Sequence, residues 1–131
     1  MGKKILIVDD EATVRDLFHD ILSDAGYTVS LATNAEEALK ILDREKIMVM
    51  FLDLKLFGMD GIHLCRQIRR KNHVPIIYAM TGWAGLFEID ECREAGFDDF
   101  FTKPVKSDLL LGAVEEAFNK LDRWLNQPAG K

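Results

Sequence analysis

Apolar residues along this chain fall into two alternating patterns. Short unbroken runs stand at 5–8 (ILIV), 47–52 (IMVMFL) and 75–80 (PIIYAM). Such runs, bounded by turn residues, predict strands buried on both faces. Between them the spacing changes to that of helices. Val14, Leu17, Phe18, Ile21, Leu22 and Ala25 form one apolar stripe, and Gly26 follows as a stop. Residues 27–32 (YTVSLA) alternate in polarity, as a strand with one wetter face does. Asn34 with Glu37 opens a second helix through Ala35, Ala38, Leu39 and Leu42. Gly61, Leu64, Cys65 and Ile68 mark a third. A weaker fourth helix spans roughly 84–95, with Ile89 and Cys92 inward and Gly96 as its stop. A short acidic strand (DDFF, 98–101) follows. Ser107 is the expected cap of a last helix bearing Leu110, Ala113, Val114, Ala117, Leu121 and Leu125.

Five strand–helix units predict an α/β fold with a parallel sheet covered on both faces, a three-layer sandwich. Strand composition also suggests the order. The first, third and fourth strands are continuously apolar and belong inside. The second alternates and the fifth is short and acidic, as edges are. The doubly wound, flavodoxin-like (βα)5 order 2-1-3-4-5 satisfies both demands. Length and periodicity place a single domain over residues 1–125, with 126–131 as a tail or the start of a linker.

Charge sharpens the picture. The chain has 131 residues, 17 Lys plus Arg and 22 Asp plus Glu, for a net −5. A mildly acidic chain argues against direct nucleic-acid binding. The segment before Asp9 has only four consecutive apolar residues, too few for a membrane span, so a cytoplasmic protein is expected. Cys65 and Cys92 lack metal-ligand spacing and read as buried thiols. His19, His63 and His73 read as solvated.

The chemistry gathers at strand ends. The first strand runs into Asp9, Asp10 and Glu11, and the third ends at Asp53. In the order 2-1-3-4-5, ligands bind beyond the carboxyl ends of strands 1 and 3, where the winding reverses. Three carboxylates from distant segments therefore meet. They repel one another unless a hard divalent cation is present, and Mg²⁺ suits such oxygen donors. Glu11 reads as an acid favoured by the helix N-terminus. The fourth strand ends at Thr81 and the fifth leads to Lys103 and Pro104. A carboxylate nucleophile, a metal, a hydroxyl and an ammonium suit phosphoryl transfer to Asp.

These residues carry a resemblance. VDDE at 8–11, FLDL at 51–54, MDG at 59–61, MTG at 80–82 and TKP at 102–104 occur in order. Over roughly residues 3–125 the chain resembles the receiver domains of two-component response regulators. The resemblance implies a phospho-switch rather than a turnover enzyme. Asp53 would accept a phosphoryl group from a histidine kinase or phosphotransfer protein. Asp9, Asp10, Asp53 and the Lys55 carbonyl would bind Mg²⁺. Thr81 and the Gly82 amide would contact the phosphoryl oxygens, Lys103 would pair with them, and the Lys103–Pro104 bond would be cis. Thr81 and Phe100 would form the switch, changing a surface made by helix 4, strand 5 and helix 5. That surface would meet an effector, an output domain or a second copy of the chain.

Three departures and two alternatives complete the reading. Phe100 stands where many members carry Tyr. Phe57 replaces the usual Pro, which predicts a looser loop or a buried ring. Lys55 and Trp83 occupy positions that tune dephosphorylation, and together they are expected to screen the attacking water. Leu111, Phe118 and Trp124 lie off the main stripe of the last helix and suggest a partner-facing patch. A flavin- or nucleotide-binding enzyme on the same fold is one alternative, but DDEA stands where a Gly-rich phosphate loop would be needed. A degenerate, protein-binding receiver is the other.

Overall fold

The computed structural model describes residues 2–82 and 86–126. Strands and helices alternate strictly: β1 (Lys4–Val8), α1 (Ala12–Asp24), β2 (Thr28–Ala32), α2 (Ala35–Arg44), β3 (Val49–Asp53), α3 (Gly61–Lys71), β4 (Ile76–Thr81), α4 (Leu86–Ala95), β5 (Asp99–Thr102) and α5 (Ser107–Leu125). The five strands are parallel, in the order β2-β1-β3-β4-β5. This is the flavodoxin-like order expected from strand composition.

The central strands are apolar at every position because both of their faces are covered. Alternation along each strand sends side chains into two cores. Ile5, Ile7, Val49, Phe51, Tyr78 and Met80 pack with Phe18 and Leu22 of α1 and Leu110 and Val114 of α5. Leu6, Val8, Met50, Leu52, Ile77 and Ala79 pack with residues of α2, α3 and α4. Phe51 anchors the first core, with ring centroids 4.9 Å from Tyr78 and 6.3 Å from Phe18. Truncating such a ring to Ala costs about 3–5 kcal/mol.

Local signals set the helix ends. Gly26 has φ +96°, and the amides of Gly26 and Tyr27 donate back to the Ser23 and Leu22 carbonyls at 3.0 Å each. This is the left-handed ending that glycine favours. Asn34 caps α2 by accepting the Glu37 amide at 2.9 Å. The Glu37 carboxylate reaches back to the amide and hydroxyl of Thr33, both at 2.7 Å.

Several boundaries and faces differ from the expectations. β3 begins at Val49 rather than 47, because its partner β1 pairs from Ile5 onto Val49. Ser107 does not cap α5: the N-cap is Lys106, which makes no side-chain cap, and Ser107 is the first helical residue. Leu17 and Leu125 are exposed despite their stripe positions. Phe118 is no surface residue, since it stacks on Tyr27 at 5.6 Å and 12°. Trp124 remains exposed. The Phe57 ring is not buried; it is 90% exposed.

Candidate functional site

The winding reverses between β1 and β3, and their carboxyl ends supply the acids. The Asp9 amide still belongs to the sheet, donating to the Ala32 carbonyl at 3.1 Å, so the side chain emerges fully buried at the tip of β1. Its Oδ1 accepts the Glu11 amide at 2.9 Å. Asp10, one residue on, is exposed. Asp53 closes β3 opposite Met80 and is nearly buried. Its Oδ1 accepts the Lys55 amide at 3.2 Å. Gly61 lets α3 begin directly against this loop, since a Cβ there would collide with the Asp53 carbonyl and stand 2.9 Å from the Leu54 Cα.

Lys103 reaches this rim from the end of β5. Its amide donates to the Thr81 carbonyl at 2.7 Å, and its peptide bond to Pro104 is cis. The ammonium lies 2.7 Å from Asp9 Oδ2, 3.0 Å from Asp53 Oδ2 and 3.5 Å from Glu11 Oε1. Burial pushes the lysine toward neutrality, but the hydrogen bonds and charges of Asp9 and Asp53 outweigh it and hold its pKa above the ordinary value. Asp53 is raised too, first by burial and further by the Asp9 charge, with Lys103 and the Lys55 amide opposing. The folded state thus binds a proton at Asp53 more readily than the unfolded chain. Its contribution is most favourable at acid pH and is lost as pH rises through the raised value.

Thr81 ends β4 with its side chain buried, and Gly82 follows, exposed. Phe100 stands opposite Ala79 and packs half-buried against the α2–α4 core. Lys55 is exposed. Trp83 lies outside the described residues. The structure therefore brings Asp9, Asp10, Asp53, Thr81 and Lys103 to one edge. Sequence reasoning missed two neighbours. Arg15, one turn into α1, donates from Nη1 to the Asp9 carbonyl at 2.8 Å, and Glu11 turns toward Lys103. The signal for both was faint: a charged residue four positions after another at a helix start.

The donor set fits a hard cation. Oxygens of Asp9, Asp10 and Asp53 all lie within 4.8 Å of one another. The fully buried Asp9 Oδ2 is held by the Lys103 ammonium at 2.7 Å. An all-carboxylate cluster of this kind suits Mg²⁺, which takes oxygen ligands.

Fold and site together define a flavodoxin-like α/β domain with an acidic, lysine-bridged pocket at its switch point. Residues 5–115 match the family model of the response regulator receiver domain. The probable transcriptional regulator ycf27 of Porphyridium aerugineum is 34% identical over 121 residues, which are 92% of this chain and 50% of that protein. The chain thus spans about half the length of this curated relative. Among solved structures, a CheY-like response regulator receiver domain protein from Methanospirillum hungatei JF-1 superposes with a TM-score of 0.90 at 30% identity, covering 94% of this chain and 98% of the other. A two-component response regulator from Clostridium difficile gives 0.89 at 28% identity, covering 92% and 99%.

The chain belongs to the response-regulator receiver family. It is the receiver domain of a two-component response regulator, a signalling switch. Nothing in the site favours the flavin or nucleotide alternative, since its carboxylates oppose a phosphate at the start of α1. Among the described residues no helix is long and apolar enough to cross a membrane.

Proposed function

We propose that Asp53 accepts the phosphoryl group from a phosphohistidine of a histidine kinase or phosphotransfer protein. The P–N bond of the donor breaks as an Asp53 oxygen forms the new P–O bond, and the histidine nitrogen departs with its electron pair. Asp9, Asp10, Asp53 and the Lys55 carbonyl would hold Mg²⁺, which would supply charge neutralisation. Lys103 needs only to turn its ammonium from the Asp53 oxygen to a phosphoryl oxygen, so its charge stays at the reacting centre. The Thr81 hydroxyl and the Gly82 amide donate to the remaining oxygens.

Thr81 carries the signal outward. As it moves toward the phosphoryl group it leaves room for Phe100, two residues along the neighbouring strand from its own partner Thr102. The half-buried ring then turns inward and alters the α4–β5–α5 surface read by an effector or output domain. Phe lacks a hydroxyl, so this readout works by packing. Lys55, with Trp83, screens the attacking water and lengthens the phosphoryl lifetime.

The observation that carries the proposal is the Lys103 ammonium held within 3.0 Å of both Asp9 and Asp53. Incubation with acetyl phosphate and Mg²⁺, followed by intact mass, tests it. One phosphoryl-sized gain is expected, absent in Asp53→Asn and in EDTA. A gain that survives Asp53→Asn moves the acceptor elsewhere and ends the assignment.

A further inference from the structure

The end of the sheet opposite the acidic rim holds a cavity of about 490 Å³, bounded by the end of α2, the start of β3 and the end of α3. This lies within the roughly 300–1,000 Å³ of sites that take small molecules. Its floor is apolar. Ile47, Met50 and Ile68 are buried there, and Leu42 and Met48 are half-buried beside them. Asp53 stands five residues after Met48 on the same run of chain, roughly 16 Å away at the rise of a strand. The cavity is therefore separate from the acidic site.

The charges around its mouth are not balanced. Both rim carboxylates are already engaged. Asp43 of α2 pairs with Lys71 of α3 at 3.8 Å. Glu45 pairs with Lys4 at 3.7 Å and accepts the Ser30 hydroxyl at 3.1 Å. Arg44 and Lys46, on either side of Glu45, are exposed and have no acidic partner among the described residues. Asn72 also lines the rim. Its amide oxygen accepts the Val74 amide at 3.0 Å, which leaves its NH2 group without an acceptor among the described residues. The dipole of α2 accounts for Arg44, the last helical residue. It does not account for Lys46, which follows an extended Glu45 (φ −123°, ψ 139°) and lies outside the helix. Two cations and an amide donor thus stand unpaired at the mouth of an apolar cavity.

We infer that this cavity binds a small anion with a short apolar chain, of the medium-chain carboxylate class. The chain lies on Leu42, Met48 and Met50, and the carboxylate takes Arg44, Lys46 and the Asn72 amide. A carboxylate gives each of these donors a charged acceptor, which an uncharged head group does not. A cationic amphiphile would meet two like charges. A concave site of this volume suits one free molecule rather than the broad face of a bilayer. The inference does not depend on the role of Asp53.

The test follows amide chemical shifts of the isotope-labelled full chain during titration with octanoate and with octanol, which share the apolar chain and differ in the head group. Octanoate should move the Leu42, Lys46 and Asn72 signals with a Kd of about 1 mM. Octanol should bind about tenfold more weakly, the effect of losing a charged hydrogen bond. Arg44→Gln/Lys46→Gln should weaken octanoate about tenfold, to the level of octanol, and leave octanol unaltered. Met48→Gln, which makes the floor polar, should weaken both alike. Lys120→Gln/Arg123→Gln, the same charge change on α5, should alter neither. If Met48→Gln does not fold, the two charge variants decide. No binding, equal binding of the two ligands by the wild type, equal octanoate loss in both charge variants, or shifts confined to signals away from the cavity overturns the inference. So does attachment to phosphatidylglycerol vesicles, or self-association in sedimentation equilibrium, that Arg44→Gln/Lys46→Gln abolishes.

Discussion

The Lys103 ammonium stands 3.0 Å from Asp53 Oδ2, so the tip of β5 is tied to the tip of β3 across fifty residues of chain. The same ammonium meets the fully buried Asp9 at 2.7 Å. One internal cation therefore offsets two carboxylates that would otherwise repel at close range. Lys103→Gln should destabilise the chain in EDTA at neutral pH by about 2 kcal/mol, less than the 3–5 kcal/mol of a fully buried pair because a carboxylate can take up a proton instead. Mg²⁺ should then raise the melting temperature of the variant more than that of the wild type, since the ion replaces the missing charge. Saturation at a hundred times Kd is worth about 2.7 kcal/mol. Thermal melts with and without Mg²⁺ check both; equal melting temperatures in EDTA would show that the bridge contributes nothing.

Arg15 holds the turn that presents the acids. Its Nη1 donates to the Asp9 carbonyl at 2.8 Å, across the start of α1. Arg15→Met keeps most of the stem and removes the donor, a charged hydrogen bond worth about 1.5–3 kcal/mol. Part of that loss should appear as looser placement of Asp9 and Asp10. Mg²⁺ affinity by calorimetry should fall about tenfold, equivalent to 1.4 kcal/mol. Unchanged affinity with lowered stability would confine Arg15 to the fold.

Much of this was legible in the residues, for reasons that also explain what was not. Ile5, Leu6, Ile7 and Val8 announce a strand because both faces are covered, and the tips of such strands in this order can meet only at the reversal point. That is why Asp9 and Asp53 could be paired on paper. Phe118 reads as part of a partner-facing patch but is buried, because its partner Tyr27 comes from the turn after α1, and one helix's periodicity carries no record of it. Leu125 continues the apolar stripe of α5, but burial stops at Leu121, where neighbouring elements no longer cover the helix. Phe57 in place of Pro left two outcomes open, a looser loop or a buried ring, and the ring is exposed where the loop turns outward between Leu56 and Gly58, the latter at φ +86°. Arg15 left only a faint signal because its acceptor is a backbone carbonyl, which every residue has.

Asp60 ties the loop after β3 to α3 and should give a pH signature. Its Oδ1 accepts the His63 amide at 2.8 Å and lies 2.9 Å from the His63 ring. Burial pushes its pKa up, but the hydrogen bonds and charge of His63 outweigh that and hold it below the ordinary value. A depressed carboxylate stabilises the fold fully above its unfolded pKa and loses that contribution as pH falls through the folded one. Asp60→Ala should cost about 1 kcal/mol at neutral pH, the usual worth of an N-cap. The gap between wild type and variant should hold down to about pH 5 and shrink below about pH 4, the ordinary carboxylate range. A gap that widens on acidification contradicts the assignment.

Arg69 fastens the base of α4 to the sheet, and its geometry predicts a coupling rather than only a loss. The guanidinium donates to the Gly96 carbonyl at 2.9 Å, the His73 and Pro75 carbonyls at 3.0 and 2.8 Å, and Asp98 Oδ2 at 2.9 Å. Asp98 Oδ2 also accepts the Ile77 amide at 2.8 Å. One planar group thus joins the end of α3, the start of β4 and the α4–β5 turn. Arg69→Met should cost about 3 kcal/mol, since acceptors shielded by the side chain lose a charged donor. Arg69→Lys should recover little, because a compact ammonium cannot span the fork. Gly96 has φ +107°, and a Cβ there would stand 2.7 Å from the Arg69 Cγ. Gly96→Ala therefore carries a left-handed backbone cost of about 1–2 kcal/mol and also displaces the arginine. Once Arg69 is displaced, removing its head group loses less. The double variant should fall short of the sum of the single losses by about 1 kcal/mol in urea unfolding. Additive losses would mean that the two residues act separately, and that α4 is fastened by something other than this guanidinium.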